Sequence, residues 1–175
     1  MPSTQPFTTR PEILGTFGVV TSTHWLATAV GMAILEKGGN AFDAGVATGF
    51  ALQVVEPHLN GPGGDVPIIV HTAHDDKTHV ICGQGVSAAS QTIEKMKALG
   101  HKIMPGTGHQ SAVVPGAFSA WCTLLRDFGT MRLREVLEPA IEFASGGYAL
   151  VPNISNTIAT IKPMFEDEWH TSRDI

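Results

Sequence analysis

Ten residues, Glu56-Pro57-His58-Leu59-Asn60-Gly61-Pro62-Gly63-Gly64-Asp65, separate a helix-like stretch rich in small residues from the apolar run at 66–70. Pro57 ends any helix before it, because proline restricts the preceding residue and brings no N–H. Gly61, Gly63 and Gly64 then lack the Cβ atoms that keep another group from approaching the backbone. The order is helix, glycine loop, strand, and the loop reads as support for a site. A phosphate cradle needs the reverse order, with a strand before the loop and a helix N-terminus after it. The spacing also fails the GxGxxG and GxxxxGK[ST] patterns. Both points argue against nucleotide binding, and a plain tight turn at Gly61, Gly63 and Gly64 is the competing reading.

The flanking segments have their own periods. Residues 17–22 read as a short buried strand, and Leu26, Ala29, Val30, Ala33 and Ile34 fall on one helical face, closed by Gly38-Gly39. Asn40 caps a second helix, with Asp43 where a carboxylate meets the free N–H groups of the first turn. In that helix Phe42, Val46, Phe50 and Val54 recur every fourth residue, and Ala44, Gly45, Ala47, Thr48, Gly49 and Ala51 keep the other surfaces small. Such a helix packs on several sides and is predicted to be central and buried. Residues 66–72 and 77–82 predict a hairpin turned at His74-Asp75-Asp76. Helices are predicted over 92–99, closed by Gly100, over 118–128, closed by Gly129, and over 133–144, closed by Gly146-Gly147, with a loop at 111–116. Pro139 predicts a kink or an early break in the last of these. The second half is mostly helical, and the chain reads as one unit, residues 13–175, behind a flexible leader at 1–12.

With 43% hydrophobic and 15% charged residues, the 175-residue chain can bury a real core. A net charge of −5, with 11 scattered Lys and Arg, excludes a nucleic-acid surface. Neither a signal-peptide core nor a run of about 18 apolar residues occurs, which predicts no membrane partner and a cytoplasmic protein. Cys82 and Cys122 form no CxxC pattern and read as buried, reduced thiols. His71, His74 and His79 cluster with Asp75 and Asp76 round the hairpin turn, but no HExxH spacing is present. They read as solvent-facing turn residues, so neither a metal nor a cofactor is expected. No GxSxG elbow surrounds Ser111 or any other serine, and no residue declares itself a nucleophile.

Several blocks in fixed order carry a family resemblance. They are Gly18-Val19-Val20-Thr21-Ser22, then Ala27, Gly31 and Ile34-Leu35, then Lys37-Gly38-Gly39-Asn40-Ala41-Phe42-Asp43-Ala44, Val54-Val55-Glu56-Pro57 and Gly61-Pro62-Gly63-Gly64-Asp65. Val114-Pro115-Gly116, Phe128-Gly129-Thr130 with Leu133, Glu138-Pro139-Ala140-Ile141 with Ala144, and Gly147-Tyr148 follow. From about Gly18 to Ile158 the chain resembles the γ-glutamyltranspeptidase family. No single block is diagnostic, and the KGGNAxDA and EPxxxGxGGD blocks at this separation are the specific pair.

The resemblance implies an α+β chain, a portion of an αββα N-terminal-nucleophile sandwich made as a precursor that cuts itself into two subunits. The family's nucleophile is a threonine at the new N-terminus of the small subunit, whose α-amine serves as general base. None of the threonines here occurs in that setting, so the chain is expected to be the N-terminal part of the large subunit, inactive alone and partnered by the downstream small subunit. Small-molecule amides or peptides are the implied substrates. The family's donor-binding arginine follows the hairpin in a segment like Gly-Arg-Glu-Thr-Ala-Pro, where this chain has Gly83-Gln84-Gly85-Val86-Ser87-Ala88. Gln84 thus stands in the arginine's place. A neutral amide cannot reproduce a bidentate, charge-assisted grip on a carboxylate, so the expected acyl donor is not a standard γ-glutamyl group. Gly61, Gly63, Gly64 and Asp65 are expected to lie beneath the site. A non-catalytic binding module is the alternative, and closure of the strand is the bland role for Gln84.

Overall fold

The computed structural model describes residues 12–174, so the predicted leader lies outside the described residues except for Glu12. Among these, seven helices and one hairpin give an α+β chain. The centre is α2 (Ala41–Val55), which buries Asp43, Ala44, Val46, Ala47, Thr48, Gly49, Phe50, Ala51 and Val55. Against it pack α1 (Trp25–Glu36), α4 (Ala117–Phe128) and α5 (Leu133–Gly146). Fully buried Ile34, Val46, Val55 and Val136 each contribute about 1.5–3 kcal/mol of hydrophobic stabilisation. Two glycines set the closeness of this packing. A Cβ on Gly31 would overlap the Thr48 hydroxyl, and one on Gly49 would overlap the Trp121 ring.

The predicted cap of α2 forms as a full capping box. Asn40 Oδ1 accepts from the N–H of Phe42 (2.8 Å) and of Asp43 (3.0 Å), and Asp43 accepts from the N–H of Asn40 (2.8 Å). Asp43 does more than cap. Its buried carboxylate also accepts from Thr130 N–H (2.9 Å), Thr130 Oγ1 (2.7 Å) and Met131 N–H (3.1 Å). Asn40 Nδ2 donates to the Phe128 carbonyl (2.8 Å), which completes the tie between α2 and the α4–α5 turn. Burial pushes the Asp43 carboxyl up, and these hydrogen bonds more than reverse that, holding it below the usual aspartate range.

β1 (Val66–Thr72) and β2 (Lys77–Gly83) pair antiparallel, with Ile69 opposite Val80 and Pro67 opposite Cys82. Alternation puts Ile68, Val70 and Thr72 inward, toward α4, and leaves Ile69 75% and Val80 70% exposed on the other face. That register corrects the reading of Cys82 as a buried thiol: it is exposed beside Pro67, and Cys122 is half-buried. His71 and His74 are exposed as expected, but His79 is half-buried with its ring 5.1 Å from that of Phe128.

Other expectations fail for identifiable reasons. Residues 17–22 form no strand; no strand pairs with them among the described residues, and a strand exists only with a partner. Ala29 is exposed, because the buried stripe of α1 runs through Ala27, Val30, Gly31 and Ile34. The helix α5 continues through Pro139 without a break. Pro139 frees the carbonyl of Glu135, an exposed residue that water can serve, while Val136 and Ala140 stay buried against the body. Thr92 caps α3 (Ile93–Ala98), and α6 (Pro152–Asp167) and α7 (His170–Arg173) complete the chain. No helix among the described residues is long and apolar enough to cross a membrane.

Candidate functional site

After α2 the chain makes one more turn, with the N–H groups of Leu59 and Asn60 both donating to the Glu56 carbonyl at 3.0 Å. The buried Glu56 carboxylate accepts from Thr23 Oγ1 at 2.5 Å and from Asn60 Nδ2 at 3.4 Å, clamping the segment before α1 onto the end of α2. The glycine loop closes on itself through Gly64 N–H to the Gly61 carbonyl (3.0 Å). The Gly64 carbonyl then accepts from Gly116 N–H (3.1 Å) and Ala117 N–H (3.0 Å) at the start of α4. Those donors have no partner within the helix, so the loop caps α4 with its own backbone.

The expected close approach does not occur at Gly61 and Gly63, where a Cβ would meet nothing within 4 Å among the described residues. Neither has a positive φ. The loop is held by one turn and by its bond to α4, neither of which needs a bare backbone at these two positions. Crowding occurs at the far end of the hairpin and beyond it. A Cβ on Gly83 would overlap the Val66 carbonyl, one on Gly85 the Val114 carbonyl, and one on Gly116 the Gly83 carbonyl. Val114 N–H donates to the Val86 carbonyl (2.9 Å), so residues 83–86 and 114–116 form a tight neck. Gln84 sits in this neck with an exposed side chain.

Two adjoining hollows open beside the loop. The larger, about 550 Å³, lies between residues 19–23 and the small-residue face of α2 at Gly45, Thr48 and Gly49. The smaller, about 140 Å³, reaches Asn60, Gly61, Gly64 and Asp65, and Trp121 walls both. Gly61, Gly64 and Asp65 therefore share one hollow, whereas Gly63 and Gln84 line neither. Gln84 is joined to the loop through Gly116, whose N–H bonds to Gly64 and whose Cβ position lies 3.1 Å from the Gln84 carbonyl carbon, and through its neighbour Gly83, which pairs with Val66. The Thr23 and Thr48 hydroxyls at the larger hollow are committed to Glu56 and to the Ala44 carbonyl (2.7 Å). Among the described residues no group of three or more His, Cys, Asp and Glu could hold a metal. The arrangement can position and bind, and the Thr23 hydroxyl at its edge is taken up in the clamp onto Glu56. Nothing in the sequence signalled the Thr23–Glu56 clamp, whose partners are 33 residues apart. The wider role of Asp43 was equally hidden, because a capping residue has a sufficient local reason to be there.

Residues 27–175 match the family model described as gamma-glutamyltranspeptidase. Over 138 residues the chain is 39% identical to the glutathione hydrolase-like YwrD proenzyme of Bacillus subtilis (strain 168), covering 78% of this chain and 26% of that protein. Over 155 residues it is 39% identical to the acylase ACY 1 proenzyme of Pseudomonas sp. (strain SE83), covering 82% of this chain and 27% of that protein. The solved structure of LmbA2991HD superimposes with a TM-score of 0.89 at 52% identity, over 97% of this chain and 29% of that one. The crystal structure of Helicobacter pylori gamma-glutamyltranspeptidase does so with a TM-score of 0.82 at 30% identity, over 89% of this chain and 45% of that one. The chain spans about a quarter of the length of the two curated relatives.

Proposed function

The chain belongs to the gamma-glutamyltranspeptidase family, and from that premise we propose that residues 13–175 are the N-terminal part of the large subunit of a self-cleaving amide hydrolase or acyltransferase. The reaction runs through an acyl-enzyme on a threonine outside these residues, supplied by the small subunit of the same precursor. The proenzyme names of two relatives support this reading. The apolar outer face of the hairpin at Ile69 and Val80 suits burial by the rest of the protein.

The acyl donor is a small-molecule amide other than a standard γ-glutamyl compound. One observation carries this: Gln84, neutral and exposed in a neck of crowded backbone, stands where the resembling segment has an arginine. The relative named an acylase is consistent with it. Gly61, Gly64 and Asp65 border the hollow beneath and act as scaffold.

The full-length protein tests both parts. It should cleave itself into two subunits and hydrolyse neutral acyl p-nitroanilides in preference to γ-glutamyl-p-nitroanilide. Gln84→Arg should raise kcat/KM for the γ-glutamyl substrate about tenfold or more, the worth of one charge-assisted hydrogen bond. Absence of self-cleavage rejects the enzyme, and a wild-type preference for γ-glutamyl rejects the donor assignment.

A further inference from the structure

Between the two sides of the neck the chain makes an excursion, residues 87–113, in which no residue is buried. α3 packs appreciably on no other element. The excursion is held by its own polar clasp. Gln91 Nε2 donates to the Gln110 carbonyl, and His101 Nε2 lies 2.5 Å from Gln110 Oε1, where the amide oxygen accepts and the ring nitrogen donates. Beside the clasp opens a hollow of about 470 Å³, lined by Gln91 and Gln110 and by Met96, Leu99, Ala112, Val113 and Val114. Its size and apolar lining with a few polar groups are those of a small-molecule site.

Three observations say what would occupy it. First, Gln91 Oε1 is buried in the wall with no hydrogen-bond partner; such an acceptor is costly unless a donor reaches it. Second, Lys95 is the only formally charged lining side chain among the described residues, and no carboxylate faces the hollow, so an ammonium group finds no counter-charge. Third, the wall residues Val113 and Val114 press against Gly85, the neighbour of Gln84. We propose that this hollow is the acyl-specificity pocket of the protein, taking a medium-length apolar acyl chain whose far end carries a hydroxyl or amide N–H that donates to Gln91 Oε1. The proposal rests on the amide-hydrolase reading and names the substrate class that Gln84 alone leaves open.

The full-length protein is assayed with acetyl, hexanoyl and 6-hydroxyhexanoyl p-nitroanilides. A fully buried methylene is worth up to about fourfold, so hexanoyl should exceed acetyl at least tenfold in kcat/KM, and 6-hydroxyhexanoyl should exceed hexanoyl. Ala112→Trp, which fills the hollow, should bring the hexanoyl-to-acetyl ratio of kcat/KM, read within that one variant, down to about one while self-cleavage is kept. Gln91→Leu removes Oε1 together with the clasp bond from Nε2 to Gln110 and should erase the hydroxyl advantage while hexanoyl still exceeds acetyl. Acetyl hydrolysis with no gain from chain length overturns the pocket and leaves the enzyme reading standing. Should the full-length protein hydrolyse no anilide, the enzyme reading falls, and hexanamide binding by calorimetry still reads the hollow: saturable binding lost in Ala112→Trp supports it, and binding absent or unchanged in that variant overturns it.

Discussion

The body round α2 and the excursion at 87–113 are built on opposite principles. In the body, apolar side chains of α2 are buried against α1, α4 and α5, and its buried polar groups Asp43 and Thr48 are tied by hydrogen bonds. In the excursion no whole residue is buried, and two glutamines and a histidine do the holding. Burial makes opening one part of the body inseparable from opening all of it, whereas a surface clasp can loosen alone. The neck of crowded glycines is the border between the two regimes.

The comparison is tested first at its strongest point, in the full-length protein. Asp43→Ala takes the acceptor from the N–H groups of Thr130 and Met131 and removes half of a capping box, for an expected loss of about 2–4 kcal/mol in urea unfolding. Since the folded carboxyl titrates below its ordinary value, its contribution is complete above about pH 4 and is lost as pH falls from there through the lowered value. Asp43→Asn should flatten that acid slope, and an unchanged slope would break the account of the hub.

Next comes the border. In Gly85→Ala the new Cβ overlaps the Val114 carbonyl, which should cost about 1–3 kcal/mol and speed proteolysis within 87–113. Protease resistance equal to wild type would mean that the neck is not tight. Inside the excursion, Gln110→Ala removes the bond to His101, and Gln91→Ala removes the one to the Gln110 main-chain carbonyl, so the double variant loses both clasp bonds. Global stability should move by no more than about 0.5 kcal/mol, while amide exchange rises across 87–113 and not in α2; a rise shared by α2 would erase the distinction. The smallest effect is expected at Gly63→Ala, where the Cβ meets open space, within about 0.5 kcal/mol of wild type. A loss as large as that of Gly85→Ala would restore the close approach once expected of the glycine loop.

Elements whose cause is local were legible. Asn40 and Asp43, three residues apart, encode their capping box without help, and Gly38, Gly100 and Gly147 adopt the positive φ expected of helix-ending glycines. The hairpin is short-range and shows the predicted strands, with β2 one residue longer. Misreadings arose where a distant partner decides. Residues 17–22 have strand-forming residues but no strand beside them among the described residues, and Pro139 is carried by packing on a helix nearly a hundred residues earlier. No helix was anticipated at α6, although Pro152 at its first turn and the buried Ile154 fit one. Of the candidate site, Gly61, Gly64 and Asp65 do share a hollow, but the tight backbone belongs to Gly83, Gly85 and Gly116.

By itself the sequence determined the helix ends, the hairpin, the central place of α2 and the blocks that identify the family. These depend on residues within a turn or two of each other, or on an ordered pattern that needs no coordinates. Only the tertiary structure decided that Asp43 serves two parts of the chain, that Thr23 is clamped by Glu56, and that Gly85 rather than Gly63 is crowded. Each is a contact between segments far apart in the chain, and such contacts are chosen by how whole elements pack, which no local propensity encodes.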